Sequence, residues 1–292
     1  MKSVLILGGC GYIGSQLFLY LTTKGYEVTT VDLELFGNYV NSKNIKQDYA
    51  DLSKESLEKY DVIVNLAAHS SVAMANNDIR RTLDNNLVNF FDLLFKVSGK
   101  KFIYASSSSV YNGLTQFEAD EDSNSYNINN LYDMTKLFTD NATKLYGDQF
   151  YGLRFGTVCG HSPNMRVDVM INKMVHTALN HGKIEIYNKN VNRPILGLSD
   201  LCDGIYHIIK NDGAPGLYNM ASTNATIIDI GNAVARAMGV PVIDKGESNT
   251  YDFRMSSKRF STTFKFDFKQ DIDQIVNDVL DNWNPEQQGT RV

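Results

Sequence analysis

The chain reads as an α/β protein: a doubly wound parallel sheet followed by a smaller α/β lobe toward the carboxyl terminus. Three observations predict it. Short β-branched runs alternate with helical patterns through the first half, the arrangement that builds βαβ units with helices on both faces of one sheet. The first such run passes straight into glycines at Gly8, Gly11 and Gly14. After Phe155 the alternation loosens, and short strands interleave with helices without a repeat or a low-complexity linker. The expected division is a sheet domain over 1–160, segments near 185–212 returning to it, and a second lobe over most of 161–292.

In chain order, Val4 to Leu7 form the first strand. Gly8 suits a sharp exit from it, Gly11 lets backbone amides approach an anion, and Gly14 lets the next helix pack closely on the sheet. With Tyr12 and Ile13 these residues make the turn of a Rossmann-type sheet, which cradles the pyrophosphate of a dinucleotide. Alone, a glycine triplet marks only a tight connection, so the second strand matters. It is expected over Glu27 to Val31, after a helix over Tyr12 to Thr23, and it ends on Asp32. A carboxylate there accepts hydrogen bonds from both adenosine ribose hydroxyls and repels a 2′-phosphate. Glu34 adds negative charge and the next basic residue is Lys43, so NAD rather than NADP is the predicted cofactor.

A helix is expected near 53–59, then strands at 62–66 and 101–105. Between these strands, 86–97 sets Leu87, Phe90, Phe91, Leu94 and Phe95 at helical intervals, a stripe that suits packing on the sheet or a subunit interface. A strand at 151–155 closes the regular half. Strand or loop segments at 185–187 and 216–220 then interleave with helices at 169–179, 200–209 and 228–238.

Bulk properties bound the function. A chain of 292 residues, 43% hydrophobic, buries a full core. A net charge of -5 without a long basic run argues against nucleic acid as a partner. The cysteines Cys10, Cys159 and Cys202 lack paired spacing and the histidines lack a ligand pattern, so neither a disulfide framework nor a metal site is indicated. No apolar run reaches the roughly 18 residues that span a bilayer, and the amino-terminal apolar stretch is too short for a signal peptide. A soluble, cytoplasmic protein is expected.

Two further segments carry chemistry. The strand ending at Ala105 feeds Ser106-Ser107-Ser108-Ser109-Val110-Tyr111, and later comes Tyr132-Asp133-Met134-Thr135-Lys136. On a helix, Tyr132 and Lys136 share a face. A phenol with an ordinary pKa of about 10 is a poor base at neutral pH, but an adjacent ammonium and the positive nicotinamide ring favour its ionised form. Such a tyrosine exchanges a proton with an alcohol, while a serine on the neighbouring strand end holds the same oxygen.

These residues resemble the extended short-chain dehydrogenase/reductases, and within them the NAD-dependent epimerase/dehydratase family acting on nucleotide sugars. The resemblance runs through Gly8-x-x-Gly11-x-x-Gly14, Asp32, Asp51-Leu52, Asn65-Leu66-Ala67-Ala68, Ser107 with Tyr111, Tyr132-x-x-x-Lys136 and Arg154-Phe155-Gly156-Thr157-Val158-Cys159-Gly160. It implies a catalytic set of Ser107, Tyr132 and Lys136, an adenine contact at Asp51 and Leu52 with Asp48 as a competing candidate, and Leu66, Ala67 and Ala68 along the cofactor. It also implies substrate contacts at Ser108, Asn172, Arg193 and Arg254, the two arginines suiting the diphosphate of a nucleotide sugar. A homodimer built from the helices at 86–97 and 132–146 is the family habit.

Within that resemblance the side chains select among reactions. Relatives that dehydrate place Asp-Glu after the catalytic hydroxyl residue, where this chain has Ser108-Ser109. Relatives that epimerise carbons 3 and 5 often carry a cysteine at the position of Ser109. The expected activity is therefore a nucleotide-sugar 4-epimerase, similar to UDP-glucose 4-epimerases, working by transient oxidation at carbon 4. A net 4-oxidase or 4-reductase and a 4,6-dehydratase are the alternatives. A non-catalytic NAD-binding regulator or scaffold is the alternative of another class.

Overall fold

Val4 and Ile6 pack into one core cluster, while Leu5 and Leu7 pack into another. Side chains alternate across a strand, so a strand apolar at every position is buried on both faces. The strand at 62–65 repeats the pattern, with Val62 and Val64 on one side and Ile63 on the other. The computed structural model describes residues 2–40, 43–114, 118–123 and 128–284; the remainder of the expected second lobe, 285–292, lies outside them.

Among the described residues the central sheet has seven parallel strands, in the spatial order Gly216–Met220, Phe150–Phe155, Lys101–Ser107, Val62–Asn65, Ser3–Leu7, Glu27–Val31, Asn44–Ile45. This is the α/β, doubly wound architecture expected. The carboxyl ends of the strands bring Gly8, Asp32, Leu66 and Ser107 to one edge. In open α/β sheets that edge is where ligands bind.

Part of the expected 185–212 returns to the sheet domain and part does not. Ile184–Ile186 pairs instead with Val242–Asp244, away from the central sheet. The segments that return are helix Leu198–Lys210, which packs beside helix Tyr12–Thr23, and strand Gly216–Met220, which pairs with Phe150–Phe155. Three short strands of the second lobe, Thr157–Cys159, Asn192–Gly197 and Thr223–Thr226, form a mixed sheet. Helices Met170–His181, Ile227–Met238 and Ile272–Asp281 pack against one another beside it. Their core residues Val175, Val234 and Ile275 belong to the same cluster as Val4 and Ile6, so the two lobes share one apolar core.

The apolar stripe at 86–97 is buried only in part. Phe90 and Leu94 are buried on the sheet, whereas Phe95 points outward. Helix Asn89–Lys96 is preceded by a wider, π-type turn over Asp84–Val88, which turns Asn86 inward.

Candidate active site

A cavity of about 570 Å³ opens at the carboxyl edge of the sheet, a size that suits a small-molecule site. Gly8, Gly11, Tyr12, Ile13 and Gly14 line one end. Gly8 has a φ of +79°, and a Cβ there would come within 2.7 Å of the Ala67 nitrogen. At Gly14 a Cβ would run into the Gly8 carbonyl, so the helix can approach the turn only without a side chain. Helix Tyr12–Thr23 has no side-chain cap and no acidic residue in its first turn. Its leading amides therefore keep their capacity for an anion such as a pyrophosphate.

Asp32 lines the same end. Its two carboxylate oxygens accept the Cys10 N–H at 3.0 Å and the Glu34 N–H at 2.7 Å, which fixes the negative charge beside the turn. Glu34 does not line the cavity; it faces Lys46 at 3.2 Å. Asp51 and Leu52 do not reach the cavity, and Gln47, Asp48 and Tyr49 line it instead. The reason is local: the Asp48 side chain accepts the Ala50 N–H at 3.0 Å and caps a single turn, after which Asp51 faces solvent and Leu52 enters the core.

Leu66, Ala67 and Ala68 form the floor beyond strand Val62–Asn65. Buried Asn86 pins this segment, accepting the His69 N–H at 2.9 Å and donating to the His69 carbonyl at 3.1 Å. The same amide donates to Thr135 Oγ1 at 3.3 Å, coupling the floor to the helix that bears Tyr132.

Ser107, Tyr132 and Lys136 meet at the other end of the cavity. Asn130 caps helix Leu131–Tyr146 by accepting the Asp133 N–H at 2.9 Å, which sets Tyr132 in the first turn. Lys136 is buried, donates to the Ala105 carbonyl at 2.7 Å and lies 5.8 Å from the Tyr132 ring centroid. Burial pushes the Lys136 ammonium down to about 8, against the opposing pull of Asp140. Burial also raises the Tyr132 phenol above its ordinary value, while the hydrogen bond from Ser107 and the charge of Arg166 hold it down. Ser107 Oγ accepts the Ser109 N–H at 3.1 Å and lies 2.9 Å from Ser109 Oγ. Ser108 and Ser106 line the same wall, and the Ser106 hydroxyl is buried without a partner among the described residues.

The expected substrate contacts of the second lobe are placed differently. Asn172 is fully buried outside the cavity. Its amide accepts the Gly160 N–H and donates to the Gly160 carbonyl, the Tyr12 hydroxyl and the Arg166 carbonyl, so it braces the loop rather than facing a ligand. Arg254 lies in strand Arg254–Met255 beside Glu118–Ala119, away from the cavity. Arg193 is buried and directs its guanidinium to the Tyr251 carbonyl and to Thr250 Oγ1, the latter at 2.6 Å.

Among the lining residues that sequence reasoning did not single out are Arg166 and Tyr251. Arg166 enters from the loop after Thr157–Cys159, its Nε and Nη2 held by Asp168 at 2.8 and 3.0 Å and its Nη1 turned to Ser70. Tyr251 enters from the loop before Arg254–Met255. Neither sits in a periodic element; their signals were only a basic residue and an aromatic residue within loops of the second lobe. The motif residues Arg154 and Cys159 serve the interior: Arg154 pairs with Asp140, and burial pushes the Cys159 thiol up to about 12.

The model of the NAD dependent epimerase/dehydratase family matches residues 4–221. The chain is 32% identical to protein CapI of Staphylococcus aureus over 239 residues, 73% of this chain and 70% of CapI. In structure it is similar to MoeE5 in complex with UDP-glucuronic acid and NAD, with a TM-score of 0.82 and 21% identity over 95% of this chain and 97% of MoeE5. It is also similar to a UDP-glucose 4-epimerase of Thermotoga maritima with UDP-glucose, with a TM-score of 0.83 and 20% identity over 97% of this chain and 100% of the other.

Proposed function

We propose, because the chain belongs to the NAD-dependent epimerase/dehydratase family, that it is a nucleotide-sugar 4-epimerase. The observation that carries this reading is the convergence of Ser107, Tyr132 and Lys136 on one wall of a cavity whose other end is the glycine turn and Asp32. Bound NAD supplies the acceptor and donor of hydride. The amides at Tyr12 to Gly14 would hold its pyrophosphate, Asp32 its adenosine ribose, and Asp48 with Leu66, Ala67 and Ala68 the rest of its length.

Tyr132 then takes the proton of the sugar hydroxyl at carbon 4 and returns it when that carbon is reduced from its other face. Ser107 holds the same oxygen in place. Lys136 supplies positive charge beside the phenol and is itself fixed by Ala105. The run Ser106 to Ser109 holds no carboxylate for the elimination step of a dehydratase, which favours simple return of the hydride. A homodimer through helices Asn89–Lys96 and Leu131–Tyr146 belongs to the same reading.

Arg166 also lines the cavity, and because Asp168 holds its Nε and Nη2, it is Nη1, turned to Ser70, that is left to meet a polar group of the sugar.

The test is product analysis by nuclear magnetic resonance with UDP-glucose and UDP-glucuronic acid. The carbon 4 epimer is expected, with Tyr132→Phe slower by about 10²–10⁴-fold. Net oxidation or dehydration would replace the epimerase reading, and a Tyr132→Phe variant with undiminished turnover would remove the proton-transfer role.

A further inference from the structure

Asp133 follows Tyr132 directly, yet it is fully buried and does not line the cavity. Its Oδ2 accepts two side-chain amides, from Asn112 at 2.5 Å and from Asn130 at 2.6 Å. Asn130 also accepts the Asp133 N–H as the cap of helix Leu131–Tyr146, so one arm of the pair serves the helix start. The other arm crosses to a different element. Asn112 closes the serine turn Ser108–Tyr111, donating its N–H to the Ser109 carbonyl at 3.0 Å, and Ser109 in turn donates its N–H to Ser107 Oγ at 3.1 Å. A path of hydrogen bonds therefore runs from Ser107 through Ser109 and Asn112 to the residue beside Tyr132. Asp133 Oδ1 has no partner among the described residues. A helix cap needs only Asn130, and a carboxylate held in the interior with one oxygen unsatisfied is a cost that the cap does not require.

We propose that Asp133 is a positioning residue for the proton transfer, its carboxylate joining the serine turn to the helix start so that Tyr132 is held against Ser107. This rests on the reading of Ser107 and Tyr132 given above. Lys136 pins the same helix to the Ala105 carbonyl at 2.7 Å, three residues further on. Two ties on one helix fix its rotation as well as its distance from the strand end. Proton transfer depends on both, since a displacement of about 1 Å at a reacting group costs on the order of a hundredfold in rate.

The experiment is steady-state conversion of UDP-glucose and UDP-glucuronic acid by the NAD-saturated full chain. Asn112→Ala removes only the arm to the serine turn and is expected to lower kcat about ten- to hundredfold with KM within about twofold, because neither Asn112 nor Asp133 lines the cavity. Asp133→Ala is expected to match that loss, and the two combined to lose no more than about twofold further, as groups acting through one contact do. Asp133→Asn keeps an oxygen for both amides and is expected to recover kcat to within about threefold of the wild type. A carboxylate that served the helix cap alone would leave kcat unchanged in Asn112→Ala, and that result overturns the inference. So does a kcat in Asp133→Asn as low as in Asp133→Ala, which would place the effect in charge rather than in position. NAD affinity reports on folding, and if Asp133→Ala fails to fold, Asn112→Ala and Asp133→Asn decide. A wild-type chain that converts neither sugar nucleotide would remove the proton-transfer reading itself, and the inference with it.

Discussion

The Lys136 ammonium donates to the Ala105 carbonyl at 2.7 Å, tying the helix that carries Tyr132 to the strand that ends in Ser107. One hydrogen bond therefore spans the two elements on which the proposed proton transfer depends. It also keeps a cation in a buried place, and that has a measurable cost.

Burial pushes the Lys136 ammonium down to about 8 in the folded chain, against 10.5 for an ordinary lysine. At pH 7 both folded and unfolded chains carry the charge, and the folded one bears the penalty of burying it. As pH rises from about 8 toward 10.5, the unfolded chain holds the proton that the folded chain has released, so stability increases with pH across that window. Lys136→Met is expected to abolish turnover yet stabilise the fold at pH 7 by roughly 1–3 kcal/mol. The gain should shrink as the wild type releases its proton. Calorimetric melting at pH 7 and pH 10 checks this; a gain that grows with pH would contradict the buried-charge account.

Arg154 and Asp140 form an ion pair at 2.7 Å with side chains only 4% and 1% exposed. Asp140 also accepts the Tyr104 hydroxyl at 3.0 Å, and Arg154 donates to the Tyr111 hydroxyl at 2.7 Å. Removing one partner strands the other charge in the interior, which costs about 3–5 kcal/mol. Arg154→Met should therefore lower the urea midpoint sharply, and Arg154→Met with Asp140→Asn should recover part of the loss. A double variant no better than the single one would place the cost in packing rather than in the orphaned carboxylate.

What was legible in the chain was local. Gly8 and Gly14 announce themselves because the backbone conformation and the close helix approach demand glycine whatever lies elsewhere. The central strands read clearly because burial on both faces makes every position apolar, as at Val4 to Leu7. Asp48 and Asp51 were indistinguishable by spacing, and a side-chain cap on Ala50 decides which of them faces the cavity. The direction of Arg193 depends on Thr250 and Tyr251, far away in sequence. Strand Thr223–Thr226 hid because it is polar and half-buried, and Gly216–Met220 was readable as a segment but not as a member of the central sheet.

Asp32 offers the next prediction, since each of its oxygens accepts a backbone N–H beside the glycine turn. Asp32→Asn keeps the shape but turns an amide donor toward one of those N–H groups and removes the charge that repels a 2′-phosphate. NAD affinity is expected to fall about tenfold, with the preference over NADP narrowed. Glu34→Gln, outside the cavity, should change neither. Fluorescence titration with both cofactors measures it; undiminished NAD affinity in Asp32→Asn would take the ribose contact away from this residue.

The outer faces of helices Asn89–Lys96 and Leu131–Tyr146 carry apolar side chains that solvent should not see. Phe138 and Leu145, seven residues apart on one face, are 54% and 75% exposed, and Phe95, 57% exposed, touches Tyr146 across the two helices at 6.0 Å between ring centres. Helical spacing makes these a continuous patch, and a patch of this kind in a folded chain marks an association surface. A two-fold dimer buries the same face from each copy, so one substitution acts twice in every interface. Leu145→Glu with Phe138→Glu should therefore shift sedimentation from dimer to monomer at micromolar concentration, while NAD affinity, built at the opposite end of Tyr132's helix and on the sheet edge, stays within about twofold. A wild-type chain that sediments as a monomer would remove the dimer from the proposed function.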